Sequence, residues 1–243
     1  MSTTVDHIDK YISHFKRRID AIEKIKSSDF EDDFKKTLYV AIIDSLSKSV
    51  YPHSSNRDRF TSFIENFGDW ENGSKISLPH FVKLLSLTPE PIFEDARKFA
   101  RNELIKWSHG EIIYLDSDPE IDELKRYWPG QATTKLINEV RLISLQHFHL
   151  FYSYRNSLVH ESRHLSISMD EIDNEKPFYI HISKFDDIPT NIIHVWQLTY
   201  PETFFHNLCT NSIKNLSAYL ITNDIDPIDF YSEGNYFIEE LNL

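Results

Sequence analysis

Glycine is scarce in this 243-residue chain, with five residues against ten prolines, and cysteine occurs once, at position 209. So few and scattered glycines leave no Gly-rich linker or low-complexity tract, and no internal repeat is visible. They also leave no phosphate-cradling loop, which excludes P-loop and Rossmann nucleotide binding. Cys209 has no intrachain partner for a disulfide, so a reducing, cytoplasmic setting is expected. Positive charge is short as well: 26 Lys and Arg stand against 38 Asp and Glu, a formal net charge of −12. That balance excludes a broad non-specific nucleic-acid surface while leaving room for a small basic cleft. The chain has no run of about 18 apolar residues, and Met1 to Asp6 is polar, so neither membrane spanning nor secretion is expected.

What the chain does have is 40% apolar and 14% aromatic residues, enough for one substantial core with a smaller lobe or elaboration. Val5, Ile8, Ile12, Phe15, Ile19 and Ile22 recur at spacings of three and four, which predicts an amphipathic helix within residues 1–28. Its stripe needs a partner, either a bundle neighbour or a second copy. Lys10, Lys16, Arg17, Arg18, Lys24 and Lys26 are interleaved with acids and read as its solvated face. From Phe30 to Val50 the pattern is apolar almost all round, predicting a buried central helix ended by Tyr51-Pro52. Within it Asp44 needs a partner, through either a structural hydrogen bond or a contact that orients Arg155 or His160. Ser54, Ser55 or Asn56 can cap a helix carrying Phe60, Phe63, Ile64 and Phe67.

Further helices are predicted over Leu78 to Ser86, Pro91 to Trp107, Pro119 to Tyr127 and Thr134 to His160. Beyond Glu175 the period changes to two: Phe178 to Ser183 and Ile192 to Thr199 read as strands joined by a turn at Asp187 to Asn191. Pro201 opens a last helix with Phe204, Leu208, Ile213, Leu216 and Leu220 on its core face. The expected architecture is mainly α, a helical bundle over 29–170 with a strand-strand-helix elaboration over 171–243. Trp70, Trp107, Trp128 and Trp196, and His147 and His149 beside Phe148, read as packing residues. Cys209 reads as inert.

The chemistry concentrates in Tyr152-Ser-Tyr-Arg155-Asn156-Ser-Leu-Val-His160-Glu161. On an ideal helix Asn156 and His160 share a face, and Arg155 lies about 100° round and reaches over with its long side chain. Arginine can hold a phosphate and histidine can move a proton near neutral pH. Together they suit RNA cleavage by the neighbouring 2′-hydroxyl, with His160 as acid or base, Arg155 as clamp and Asn156 as positioning group. Spacing alone is poor support, because Arg followed by His after four to six residues arises by chance about 1.5 times in this composition. Arg141 to His147 is a second instance.

Tyr154-Arg155-Asn156-Ser-Leu-Val-His160-Glu161 resembles the Arg-x4-6-His signature of the HEPN superfamily. The likeness is sharp over about ten residues and otherwise rests on the helical pattern. It implies a HEPN-like bundle that dimerises so that two motifs form a composite active site. It further implies a metal-independent endoribonuclease of toxin or antiviral systems that takes RNA as substrate, needs no cofactor and leaves a cyclic phosphate. Carried over by match are Arg155, Asn156 and His160. A chain poisonous to its own cell would need an inhibitory or activating protein partner. Two rival readings of the same atoms stay open. His160-Glu161-Ser-Arg-His164 satisfies the zinc-hydrolase pattern H-E-x-x-H, though no third ligand follows at metzincin spacing. Alternatively Arg155 pairs with an acid and His160 caps a helix end in a non-catalytic interaction or nucleic-acid-binding module.

Overall fold

The computed structural model describes residues 3–26, 30–129, 140–161, 174–185 and 192–230. The chain is mainly helical with a small antiparallel sheet. In chain order the helices are α1 (Thr3–Ile22), α2 (Glu31–Lys48), α3 (Asn56–Phe67), α4 (Leu78–Ser86), α5 (Glu94–Leu104), α6 (Ile121–Leu124), α7 (His147–Asn156) and α8 (Glu202–Asn223). The strands are β1 (Ile113–Tyr114), β2 (Phe178–Phe185) and β3 (Ile192–Thr199). The chain divides into two compact units, residues 1–70 with 205–243 and residues 71–204. Among the described residues no helix is long and apolar enough to cross a membrane.

In the first unit α1 buries Ile8, Ile12, Phe15, Ile19 and Ile22, so the stripe that its spacing predicts is covered within the chain. α2 departs from the expectation of a helix buried all round. Tyr39, Val40, Ile43 and Leu46 are fully buried, whereas Phe30, Phe34 and Leu38 are 59%, 52% and 41% exposed. Residues four apart share a face, and the helix presents only one face to the core. Asp44 on the same helix is half-buried rather than buried. Ser55 caps α3, its Oγ accepting the Asp58 N–H at 3.2 Å.

On α8, Phe205, Leu208, Ile213, Leu216 and Leu220 are buried. Gly68, just past α3, lets the α8 side chain of Leu208 approach so closely that a Cβ there would meet it at 2.7 Å. Cys209 is buried, and its thiol donates to the Tyr39 carbonyl at 3.3 Å. Burial pushes its pKa up, so little nucleophilic thiolate exists at neutral pH. We therefore expect the native protein to leave a disulfide reagent such as dithionitrobenzoate unreacted over an hour and to consume one equivalent once denatured. Rapid native-state reaction would contradict this packing.

In the second unit β1, β2 and β3 form one sheet in that order, and β2 and β3 pair antiparallel over their full length, Phe178 opposite Thr199 and Phe185 opposite Ile192. This is the predicted hairpin; its turn lies outside the described residues. On one face His109, His181 and His194 stack in parallel at centroid separations of 4.0 and 5.5 Å, and the Trp196 ring meets His181 edge-on at 5.0 Å. Trp107 and Trp128 are buried, as packing residues should be. Gly73 is required by close packing, because a Cβ there would lie 2.0 Å from the ring of Phe148 on α7.

Candidate functional site

Apolar periodicity predicts one helix from Thr134 to His160, but α7 begins only at His147. Residues 130–139 lie outside the described residues. A short 3-10 turn covers Leu142–Leu145, and Gln146 is extended. Residues 145–147 instead exchange backbone hydrogen bonds with 75–77: Ser77 N–H donates to the Leu145 carbonyl at 3.0 Å and His147 N–H to that of Lys75 at 3.2 Å. Those bonds satisfy the backbone as a helix would, so tertiary pairing sets the start of α7.

The end of α7 is also altered. Ser157–Glu161 form a π-helical turn, one residue wider than an α turn, which aligns residue i with i+5 rather than i+4. His160 is thereby brought beside Arg155. The Arg155 Nη1 donates to Asn156 Oδ1 at 2.8 Å and lies 3.3 Å from His160 Nε2. A guanidinium has only donors, so His160 Nε2 is the acceptor and the ring proton sits on Nδ1. Arg155 also lies over the Tyr152 ring, 5.9 Å from its centroid. Arg155 and Asn156 are half-buried and His160 is exposed, while Tyr154 and Leu158 anchor the turn in the core. The arrangement can hold an anion on the guanidinium while an accessible imidazole exchanges a proton. All three predicted site residues therefore come together, although Arg155 rather than Asn156 is the direct neighbour of His160. Glu161 closes the turn, and His164 lies outside the described residues.

A second polar cluster carries no sequence signal, and His147 belongs to it instead of serving as simple packing. Asp118 and His147 are fully buried at the side chain, and His147 Nε2 donates to Asp118 Oδ2 at 2.7 Å. Tyr179 Oη is 2.8 Å from the same oxygen and 2.7 Å from Ser77 Oγ. Ser77 Oγ is 2.7 Å from His80 Nδ1, and Asp118 Oδ1 accepts the Leu78 N–H at 2.8 Å. A carboxylate accepts only, which gives the hydroxyls one direction: His80 donates to Ser77, Ser77 to Tyr179 and Tyr179 to Asp118. Burial raises the Tyr179 pKa well above its usual value, with Asp118 adding to the effect.

Burial, then the neighbouring His147, lowers His80 to about 4, while Asp118 pulls the other way. His80 is therefore neutral at pH 7, with Nε2 bare. The unfolded chain takes up this proton near pH 6.5 and the folded chain only near pH 4, so between these values the unfolded state binds more protons and stability rises with pH. We expect the contribution to be intact above about pH 6.5 and a loss of about 3 kcal/mol to be complete below about pH 4. Urea midpoints for the parent and His80→Phe test it; parallel pH profiles over that window would refute the assignment.

Among the described residues no group of His, Cys, Asp or Glu converges as a metal ion requires. No known family's sequence model, curated protein or solved structure matches this chain.

Proposed function

We propose that this chain is a HEPN-type, metal-independent endoribonuclease, with Arg155, Asn156 and His160 as its site. The observation that carries the reading is the π turn that seats His160 Nε2 3.3 Å from the Arg155 guanidinium. π turns inside helices are frequent at functional sites, and this one joins the two groups that the chemistry needs. In the reaction the 2′-hydroxyl oxygen bonds to phosphorus as the bond to the 5′-oxygen breaks, giving a 2′,3′-cyclic phosphate and a 5′-hydroxyl end. His160 takes the proton of the attacking hydroxyl or supplies one to the leaving oxygen. Arg155 neutralises charge on the pentacoordinate phosphorus, and Asn156 holds the guanidinium in place through its 2.8 Å bond. A phosphate that draws Arg155 away releases Nε2 to act as the base.

Arg155 beside Nε2 also speaks against zinc on that nitrogen, since a cationic donor already occupies its lone pair. We propose the composite dimer cleft of the resemblance, and a toxin or antiviral setting with a regulating protein partner, as part of the same reading. The experiment is incubation of purified protein with total cellular RNA in excess EDTA, with end-group analysis. Cleavage leaving cyclic phosphate is the expected result; RNA left intact across protein concentrations that span monomer and dimer would sink the proposal.

A further inference from the structure

The hydrogen bonds that run out from Asp118 end on a cavity. His80 is half-buried and lines a space of about 600 Å³ within the second unit, bounded by α4, α7 and β3. Tyr179 donates to Asp118, so it accepts from Ser77, and Ser77 in turn accepts from His80 Nδ1. That chain of bonds holds the ring proton on Nδ1. His80 Nε2 makes no hydrogen bond among the described residues, yet it is not sealed in the interior. Because the ring is neutral at pH 7, Nε2 accepts a hydrogen bond and donates none.

Val82, Leu104, Leu150, Val195 and Leu198 give the cavity apolar walls. Its described lining residues include no Asp or Glu, and its one Lys, Lys83, is exposed to water, as is His194. An ionised ligand would give up its hydration there without a buried counter-charge, a cost that a neutral one avoids. A volume of this size is typical of small-molecule sites, which span about 300–1,000 Å³. We propose that the cavity binds a small neutral molecule, mostly apolar, through one hydroxyl or N–H group that donates to His80 Nε2. The Asp118, Tyr179 and Ser77 chain then has a role besides stability: it fixes the tautomer that leaves this nitrogen an acceptor. The assignment does not draw on the ribonuclease reading. Leu150, Ser153 and Tyr154 of α7 line the cavity. At about 100° per residue they share one arc of the helix, and Arg155 leaves it about 150° from the middle of that arc.

The test titrates the full chain by calorimetry at pH 7 with 2-naphthol, with its methyl ether 2-methoxynaphthalene and with 2-naphthoate. The naphthol is expected to bind at least tenfold more tightly than either, since the ether has no donor and the naphthoate carries a charge. His80→Phe should erase the difference between naphthol and ether. Ser153→Trp, at an exposed position on the cavity wall, should abolish binding of both while circular dichroism stays that of the parent. In the parent protein the nitrogen resonance of His80 Nε2 should move when naphthol is added, with the proton kept on Nδ1, a readout that does not depend on either variant folding. Equal affinity for naphthol and ether, tighter binding of naphthoate, no binding of any of the three at its solubility limit, or an unmoved Nε2 resonance would each overturn the proposal.

Discussion

Replacing His160 by alanine is expected to lower RNA cleavage by about 10²–10⁴-fold, the range that a positioned acid or base supplies. Arg155→Ala should lose about 10²–10³-fold through the missing charge on the transition state. The double variant should be little worse than the poorer single one, because groups acting on one phosphorus as a unit are not additive. Arg155→Lys should recover only part of the loss, since an ammonium lacks the fork that grips two phosphate oxygens while also reaching Asn156. Neither change should disturb the fold: His160 is exposed, Arg155 is half-buried, and the turn is held by Tyr154 and Leu158. Unchanged circular dichroism and melting with lost cleavage is therefore the expected pair of results. Parent-like cutting by His160→Ala would remove it from the reaction.

Asp118→Ala is expected to be the most damaging single change to stability, at about 3 kcal/mol or more, because three buried donors lose their acceptor and each costs about 1–3 kcal/mol when left unpaired. The loss leaves His147 Nε2, the Tyr179 hydroxyl and the Leu78 N–H facing a cavity with nothing to accept them. Against a total stability of about 5–15 kcal/mol such a loss leaves much of the population near unfolding. Asp118→Asn keeps one acceptor oxygen and should cost less. Urea denaturation measures both, and an alanine variant within about 1 kcal/mol of the parent would show that these bonds do not hold the second unit together.

The helical character and the hairpin were legible because they follow from local periodicity. Ile8, Ile12, Phe15, Ile19 and Ile22 repeat at a helical period and are buried together. Phe178 to Phe185 and Ile192 to Thr199 alternate at period two and pair in register. The same reasoning overextended where apolar residues continued past the point at which the backbone found other partners. It ran one helix through Gln146, which bridges to Ile76 instead. It also buried Phe30, Phe34 and Leu38, which stand on the exposed side of α2.

For the candidate site, residue identity was legible and geometry was not. The order Arg155-Asn156 and the later His160 can be read directly, and ideal helical angles then put Asn156 rather than Arg155 next to His160. The π turn reverses that pairing, since widening one turn by a residue depends on how Tyr154 and Leu158 settle into the core. Asp118 gave no signal at all, because its partners stand 29, 40 and 61 positions away. The sequence by itself thus determined the helices, the hairpin and the triad of candidate groups, all set by neighbours within a few residues. Only the tertiary structure decided where α7 begins, which nitrogen faces Arg155, and how Asp118 gathers His147, Tyr179 and Leu78, because distant chain segments must meet before those bonds exist.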